Sequence, residues 1–444
     1  MDVLIEPVKY LDGSAAAIPS KSDVHRKLIC AALADRPTEL ILSEIPHVRV
    51  SADIEATMAC LTALGASFRL GPSAGPSDVE DPQVHHPGAS IFVTPIQEVP
   101  KDPLLDCGES GSTFRFLLPV AAALCGHVRF TGSGRLPERP IGDLMSAMTA
   151  HGVSFSAEKL PFETHGKLTG GDYALPGNIS SQYITGLLLA LPNAAEDSTL
   201  TLTTKLESAA YVDITLAALR RFGISVRPTG TGWAIPGKQA FHAGERCRAD
   251  GDWSNAAFFL TAGALGKVRG HHVALLYADD ASPQGDKAIV PLLRKFRADV
   301  RGSGSFFLSA PSQLYPAEID VSEVPDLLPI LAVAAAFAKG KSHFTNAARL
   351  RLKESDRLKT TAAMLKALGG KAVEQPAGLI VHGGRPLTGG TVDGANDHRI
   401  VMAAAIAAAY CKGPTAILGA QAVNKSYPGF WEDYKQLGGV VHVL

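Results

Sequence analysis

Apolar positions along this chain recur in a pattern of helical and extended segments. Six runs place apolar residues at the spacing of an amphipathic helix, end at a small residue and precede a β-prone stretch. Glycine at such an end lets the helix stop in a left-handed conformation that costs other residues more. The six small residues are Gly65, Gly152, Gly223, Ala298, Gly369 and Gly438.

The spacing of these ends predicts a repeated α/β unit. Successive ends lie 87, 71, 75, 71 and 69 residues apart, which is longer than the roughly 20–50 residues of solenoid repeats. This period suits a compact βαβαβ-type unit used six times, three in each of two domains. With 444 residues, the chain is also longer than a domain with a single hydrophobic core usually is. A boundary is predicted near residues 248–251, and residues 71–87 are expected to form a surface loop.

A second class of helix is more apolar and begins at a short polar cluster. The clusters are SKSDVHR (20–26), ESGST (109–113), SSQY (180–183) and DWSN (252–255). A single Ser or Asp suffices as a cap, so capping explains any one cluster. The first and third clusters exceed that need, and their hydroxyl, amide and ammonium groups suit a phosphate or sugar-like hydroxyls. Glycine, as at Gly111, is expected where the backbone approaches a ligand closely.

Charge is concentrated in the segment RLRLKESDR (349–357), which holds four cations and two carboxylates in nine residues. Apolar residues follow it at helical spacing, so it is predicted to open a helix, as is NDHR (396–399). Helix starts favour anions. A capped, solvated helix end explains either cluster alone, but together they indicate a small, highly anionic ligand. The loop GRLPERPI (134–141) adds two guanidiniums, which suit bidentate recognition of carboxylate or phosphate.

Composition argues against several classes of protein. With 42 basic and 43 acidic side chains, the chain has no electrostatic footprint for duplex nucleic acid or a membrane surface. Its six cysteines are scattered without metal-site spacing, so no metal is predicted and a reducing cytoplasm is expected. The longest apolar run, residues 327–338, is shorter than the roughly 20 residues that span a bilayer. The motifs of nucleotide-binding P-loops and dinucleotide folds do not occur in the sequence.

Taken together, the motifs resemble those of the enolpyruvyl transferase family, and within it the 5-enolpyruvylshikimate-3-phosphate (EPSP) synthases. The resemblance runs essentially end to end, and its most specific parts are RLKESDR (351–357), ERPIG (138–142), SSQ (180–182), YVDIT (211–215) and NDHR (396–399). It implies an α/β fold of two similar domains, each of three βαβαββ units in an inside-out α/β barrel, with the active site in the interdomain cleft. The implied domains are residues 20–249, and residues 1–19 together with 250–444.

The resemblance also implies a reaction. The enolpyruvyl group of phosphoenolpyruvate passes to the 5-hydroxyl of shikimate 3-phosphate by addition and elimination, and phosphate is released, in the shikimate pathway to chorismate and the aromatic amino acids. Family members use no metal or organic cofactor. The expected partners are these two small molecules, with neither nucleic acid nor membrane, and a monomer is expected.

Residue roles follow from the same resemblance. Asp326 matches the carboxylate that takes the proton of the reacting hydroxyl, and Glu354 matches the group that protonates the methylene carbon and later takes a proton back. Lys21 assists at the reacting oxygens. The residues implied to bind shikimate 3-phosphate are Lys21, Ser22, Arg26, Ser180, Ser181, Gln182, Ser208, Tyr211, Asp326 and Lys353. Those implied to bind phosphoenolpyruvate are Lys21, Gly111, Arg139, Gln182, Arg357, Arg399 and Lys425.

The chain departs from the commonest family pattern at five positions, namely Glu109, Ser112, Phe116, Arg349 and Trp253. A carboxylate at position 109, close to an anion site, is expected either to pair with a cation or to repel the ligand. Affinity for phosphoenolpyruvate, and sensitivity to glyphosate, which occupies that pocket in the family, are therefore left open.

Two alternatives remain beside this interpretation. The sister enzyme transfers enolpyruvyl to UDP-N-acetylglucosamine, and its family typically places a reactive cysteine where this chain has residues 135–139. The other alternative is a phosphate or nucleic-acid binder without activity, such as the RNA-end-processing relatives. Neutral charge and the two carboxylates Asp326 and Glu354 argue against a protein that only binds.

Overall fold

The computed structural model describes residues 1–43, 49–73 and 88–444. These residues divide into two compact units. We call Pro19–Ala249 the N-unit, and Met1–Ile18 with Asp250–Leu444 the C-unit. Of the loop predicted at residues 71–87, residues 74–87 lie outside the described part, while Gly71 and Pro72 end a strand.

Helices and strands alternate along both units. The described helices are α1 (Lys21–Ala32), α2 (Ala52–Ala63), α3 (Gly111–Leu124), α4 (Gly142–Thr149), α5 (Ser181–Ala190), α6 (Ala209–Arg221), α7 (Trp253–Leu265), α8 (Ile289–Lys295), α9 (Leu328–Phe337), α10 (Arg357–Ala367), α11 (His398–Ala408) and α12 (Phe430–Gln436). The strands are β1 (Val3–Glu6), β2 (Gly13–Ala16), β3 (Thr38–Ser43), β4 (Ser67–Pro72), β5 (Ala89–Thr94), β6 (Leu104–Asp106), β7 (His127–Thr131), β8 (Ser154–Phe155), β9 (Phe162–His165), β10 (Gly171–Leu175), β11 (Ser198–Leu202), β12 (Arg227–Pro228), β13 (Gly232–Ile235), β14 (Arg246–Arg248), β15 (Val273–Leu276), β16 (Asp299–Ser303), β17 (Phe306–Ala310), β18 (Glu318–Asp320), β19 (Lys341–Thr345), β20 (Lys371–Gln375), β21 (Gly378–His382), β22 (Gly390–Asp393), β23 (Thr415–Leu418) and β24 (Val440–Val443).

Six four-stranded sheets form from these strands, one for each predicted repeat. In the sheet β10-β11-β13-β12, β10 and β11 are parallel, with Gly171 opposite Ser198, and β13 runs antiparallel to β11. Because α5 connects the parallel strands and α6 leads into the hairpin, this is a βαβαββ unit. The other sheets have the orders β14-β3-β5-β4, β6-β7-β9-β8, β16-β17-β15-β2, β18-β19-β21-β20 and β22-β23-β1-β24.

Three of the six sheets are completed by a strand that is distant in sequence. In the N-unit, β14 pairs in parallel with β3. In the C-unit, β2 pairs in parallel with β15, and β1 lies antiparallel between β23 and β24. The first eighteen residues therefore belong to the C-unit, where β1 and β2 each complete a sheet.

The two predicted classes of helix are both present. Every residue of α7 and α11 is buried, and α3, α5 and α9 are buried over nearly their whole length. Helices that are apolar all round belong in a core, whereas α2, α4, α6, α8, α10 and α12 bury only one face. None of the helices among the described residues is both long and apolar enough to cross a bilayer.

Five of the six predicted helix ends are glycines with positive φ, at Gly65, Gly152, Gly223, Gly369 and Gly438. The prediction is wrong at the sixth end. There, the left-handed residue is Arg297, with φ 63°, one position before Ala298. Its guanidinium carbon lies 4.6 Å from the centroid of the Tyr315 ring. This contact offsets part of the cost that a side chain bears in the left-handed region.

Alanine at Gly369 is expected to destabilise the protein more than alanine at Gly438. Both glycines are left-handed, with φ 81° and 91°, so each substitution costs about 1–2 kcal/mol of backbone strain. At Gly369 a Cβ would also clash with Oγ1 of Thr388, whereas no described atom lies within 4 Å of a Cβ built at Gly438. Overpacking adds about 1–3 kcal/mol. Urea unfolding of both variants measures the difference, and equal losses would contradict the clash.

Candidate active site

All four predicted polar clusters begin buried helices. Lys21 is the first residue of α1, and Asp252, Ser110 and Ser180 are the caps of α7, α3 and α5. The Lys21 ammonium donates a hydrogen bond to Oδ2 of Asp53 at 2.7 Å. Asp53 lies in the first turn of α2. A lysine at a helix start is therefore held in place by a carboxylate of the neighbouring helix.

Arg26 lies inside the N-unit, where only 2% of the residue is exposed. Its Nε donates to Oγ1 of Thr215 at 2.7 Å, and its two terminal nitrogens donate to the carbonyls of Ser22 and Tyr211 at 2.5 and 2.9 Å. Burial lowers the pKa of Arg26 to about 10, so the guanidinium stays charged at neutral pH. It thereby fixes the backbone of two predicted ligand-binding residues, and its own contact with substrate stays a prediction.

Gly111 opens α3 against two guanidiniums. A Cβ there would lie 2.5 Å from a terminal nitrogen of Arg139 and 2.7 Å from one of Arg115. Arg115 donates to Oε1 of Gln182 at 3.2 Å, and the Gln182 amide donates to Oγ of Ser112 at 3.0 Å. The structure thus brings Gly111, Arg139 and Gln182 together, with Arg115 as a further member that sequence reasoning missed. A buried arginine in the apolar run of α3 was the available signal.

Ser180 and Ser208 mark the starts of α5 and α6. The Ser180 hydroxyl accepts from the backbone N–H of Gln182 at 3.3 Å, and Ser181 is the first residue of α5. Ser208 caps α6 with φ 57°, a left-handed conformation that is unusual for a non-glycine residue. Such strain clusters at functional sites.

The C-unit concentrates three carboxylates on one guanidinium. Arg357 is 1% exposed. It donates to Asp326 Oδ1 at 2.7 Å, to Glu354 Oε2 at 2.6 Å and to Asp397 Oδ2 at 2.8 Å. Burial opposes the charge, but Asp397, Glu354 and Asp326 together hold the pKa of Arg357 well above its usual value. The guanidinium is permanently charged and sets the positions of all three acids.

Three cationic side chains contact the Asp326 carboxylate. Besides Arg357, it accepts from Arg399 at 2.8 Å and lies 3.3 Å from Nζ of Lys353. Burial works to raise the pKa of Asp326, but Arg399, Lys353 and Arg357 hold it well below the usual value. Burial also lowers the pKa of Lys353, although Asp326 opposes this shift. At neutral pH, Asp326 is therefore ionised.

The prediction that residues 349–357 open a helix needs correction. Residues Ala348–Leu352 form a 3-10 turn, and α10 begins only at Arg357, after the cap Asp356. Asp356 accepts the backbone N–H of Lys359 at 3.1 Å, so the chain turns into the helix there. Lys353 and Glu354 therefore lie in the connection before the helix.

The second charged cluster begins α11 as predicted. Asp397 caps the helix by accepting the backbone N–H of Arg399 at 3.0 Å. The same carboxylate accepts from Ser355 at 2.9 Å, which ties the start of α11 to the segment before α10. The Lys425 ammonium donates to the carbonyl of Asn396 at 2.7 Å, so it also lies at this start. Sequence reasoning placed Asp397 in a motif without recognising that it binds Arg357.

Several departures from the family pattern have a structural explanation. Trp253 is fully buried, donates from Nε1 to the Asp279 carbonyl at 2.8 Å and packs edge-on against Phe307. The Phe116 ring lies 4.8 Å from the Arg26 guanidinium. Arg349 donates to the carbonyl of Ser322 at 2.8 Å. These three residues serve packing or loop geometry within their own units.

Asp286 is a buried acid that no sequence motif indicated. It lies in a 3-10 turn, Gly285–Ala288, and accepts a hydrogen bond from the Ser254 hydroxyl in the first turn of α7. Burial, reinforced by the negative charge of Asp326, raises the pKa of Asp286 to about 6. The group therefore changes charge near neutrality beside the candidate site.

Asp286→Asn is expected to stabilise the protein relative to the wild type at pH 7.5 but not at pH 4. Because the pKa of Asp286 in the folded state is raised to about 6, its protonated form favours folding. This contribution to stability is complete below the unfolded pKa and is lost as pH rises through 6. Two pKa units correspond to about 3 kcal/mol. Urea unfolding at both pH values measures this effect. The same substitution at half-exposed Asp299 is the control, and an equal change at both pH values would contradict the shift.

Comparisons with known proteins identify the family of this chain. The family model for EPSP synthase (3-phosphoshikimate 1-carboxyvinyltransferase) matches residues 5–434. The 3-phosphoshikimate 1-carboxyvinyltransferase of Clostridium kluyveri is 40% identical over 442 residues, 99% of this chain and 98% of that protein. That of Clostridium acetobutylicum is 39% identical over 438 residues, 97% and 96% of the two chains.

A solved structure extends the similarity to the fold. EPSP synthase from Acinetobacter baumannii matches with a TM-score of 0.79 and 25% identity, over 100% of each chain. The predicted fold class and the predicted transferase activity are thereby confirmed. With a family model that covers nearly the whole sequence and relatives near 40% identity, this chain belongs to the EPSP synthase family.

Proposed function

We propose that this chain transfers the enolpyruvyl group of phosphoenolpyruvate to the 5-hydroxyl of shikimate 3-phosphate and releases phosphate. The observation that carries the proposal is the pair of carboxylates held on Arg357, with Asp326 at 2.7 Å and Glu354 at 2.6 Å. The reaction needs two proton carriers, because one group removes a hydroxyl proton while another delivers a proton to carbon. A protein that only bound anions would not require two acids among its cations.

Asp326 is the proposed base. It is ionised because Arg399, Lys353 and Arg357 lower its pKa, so it can accept the proton of the 5-hydroxyl. Glu354 is the proposed acid, which protonates the methylene carbon and recovers the proton when the tetrahedral adduct eliminates phosphate. Their shared guanidinium fixes the distance between the two groups, and such positioning favours a reaction that needs both.

The proposed substrate-binding groups of the N-unit lie at helix starts. Lys21 and Ser22 open α1, Ser180–Gln182 open α5, and Ser208 and Tyr211 open α6. Backbone N–H groups there, with hydroxyl and ammonium side chains, suit the phosphate and hydroxyls of shikimate 3-phosphate. Arg26 supports this set by holding the carbonyls of Ser22 and Tyr211.

The proposed phosphoenolpyruvate-binding groups are mainly cations. In the N-unit they are Arg139 and the backbone of Gly111, with Lys21 and Gln182. In the C-unit they are Arg357, Arg399 and Lys425. Fixed positive groups stabilise the charge that develops on the phosphate as it leaves, without reorganisation during the reaction. We further propose that the protein is a cytoplasmic monomer whose two domains are residues 20–249, and residues 1–19 with 250–444.

Phosphorus NMR tests the proposed reaction directly. Purified protein mixed with shikimate 3-phosphate and phosphoenolpyruvate is expected to yield inorganic phosphate and a new enol-ether phosphate ester in equal amounts. Omitting shikimate 3-phosphate is the control and should leave phosphoenolpyruvate intact. Turnover only with UDP-N-acetylglucosamine would assign the chain to the sister reaction. No phosphate release with either acceptor would leave a binding protein without this chemistry.

A further inference from the structure

The sheet β6-β7-β9-β8 of the N-unit carries a cluster that the proposed reaction does not use. His127 on β7 lies opposite His165 on β9 in the antiparallel pair, and Glu163 is two residues before His165, on the same face. Oε2 of Glu163 is 3.2 Å from Nε2 of His127 and 3.6 Å from Nε2 of His165. All three ligand-type atoms lie within 4.8 Å of one another.

A fourth side chain orients the first histidine. Oδ1 of Asp102 is 2.9 Å from Nδ1 of His127, and Nε of Arg129 donates to the same oxygen at 3.1 Å. An N–H on Nδ1 that donates to Asp102 leaves a lone pair on Nε2, which faces Glu163. Two electron-rich atoms at 3.2 Å repel each other unless a proton or a metal ion lies between them.

We infer that His127, Glu163 and His165 form a binding site for a divalent transition-metal ion, with Zn²⁺ as the best fit. Tetrahedral zinc with ligand bonds near 2.1 Å separates its ligands by about 3.4 Å, and the two contacts of Glu163 measure 3.2 and 3.6 Å. Imidazole nitrogen favours zinc over magnesium or calcium, which take oxygen ligands. A water molecule completes four-fold coordination.

The surroundings fit this assignment. A carboxylate that accepts from the distal nitrogen of a ligating histidine, as Asp102 does, fixes the tautomer and makes the ligand more basic. The two imidazole rings now stack with an interplanar angle of 18°, so His165 must turn to direct Nε2 at a shared ion. Its side chain is 54% exposed and has room to turn. The sequence pattern gave no sign of the site because strand pairing joins residues 36 positions apart.

Zinc titration of the full-length, metal-free protein tests the inference. Calorimetry is expected to show one saturable equivalent of Zn²⁺. His165→Ala should weaken that binding by at least tenfold. Asp102→Asn, which changes only the orienting group, should weaken it by about tenfold. His242→Ala removes another exposed histidine that is also paired with an aspartate, Asp35 at 2.9 Å, and it should leave the equivalent unchanged.

Three results decide the matter. Loss of the equivalent in His165→Ala and its retention in His242→Ala, with unchanged thermal midpoints in both, supports the site. A His165→Ala variant that still binds one equivalent of Zn²⁺, for example through cysteine thiols, overturns the inference. So does a wild-type protein without saturable binding, in which case a proton is what bridges His127 and Glu163. Because none of these residues belongs to the proposed catalytic set, failure here leaves the proposed transferase reaction unaffected.

Discussion

Replacing Asp326 with asparagine is expected to lower kcat by about 10²–10⁴-fold, the range that a general base contributes. Asparagine keeps the size and the hydrogen-bond acceptor of the side chain but cannot take the proton of the 5-hydroxyl. In the wild type, Arg399, Lys353 and Arg357 keep Asp326 ionised, so the base is ready at neutral pH. Steady-state kinetics should show the loss in kcat, while calorimetry should show that shikimate 3-phosphate still binds.

Asp320→Asn is the matched control for this substitution. Asp320 is an exposed aspartate in the same unit, and its carboxylate accepts from the Ser322 backbone and the Asn346 amide at 2.8 and 2.7 Å. Its replacement should leave kcat close to the wild-type value, because Asp320 does not belong to the proposed catalytic set. Unchanged turnover in Asp326→Asn would remove Asp326 from the mechanism. A large rise in KM with normal kcat would instead make it a binding residue.

Local sequence signals predicted much of the fold. Glycines at five helix ends and polar clusters at four helix starts are short-range features, and each occurs where the pattern indicated. They work because a left-handed residue commonly ends a helix and because a helix start needs acceptors for its free N–H groups. The exception at Arg297 shows the limit of such rules. A contact with the Tyr315 ring allows a left-handed arginine that no local rule would choose.

The candidate site was predictable in its charged residues but not in its pairing. The sequence put Lys353, Glu354 and Arg357 in one motif, and it put Asp397 and Arg399 in another. That Arg357 binds Asp397 depends on how α10 and α11 pack, which is not a local property. Asp286 has no local signature, because its neighbours Ser254 and Asp326 come from distant segments of the chain. Arg115 does have one, as an arginine within the apolar run of α3.

Replacing Arg357 with leucine is expected to destabilise the C-unit by about 3–5 kcal/mol at neutral pH, the usual cost of removing one partner from a buried ion pair. Three carboxylates, on Asp326, Glu354 and Asp397, would lose their common cation. The loss of this counter-charge disfavours the ionised carboxylates in the folded state, and protonation removes that penalty. The deficit relative to the wild type should therefore shrink as pH falls from 7 towards 4, as urea unfolding across that range can measure.

Arg351→Leu separates this effect from the loss of any arginine. Arg351 lies in the same charged segment and pairs with Asp356 at 2.9 Å and Glu374 at 2.6 Å, but its side chain is 29% exposed. Solvent screens such pairs, so the expected loss is about 0.2–1 kcal/mol, with little pH dependence. Arg357→Lys keeps the charge without the planar fork that reaches several carboxylates, and it should fall between the two. Equal losses at positions 351 and 357 would mean that the burial of Arg357 contributes nothing to its role.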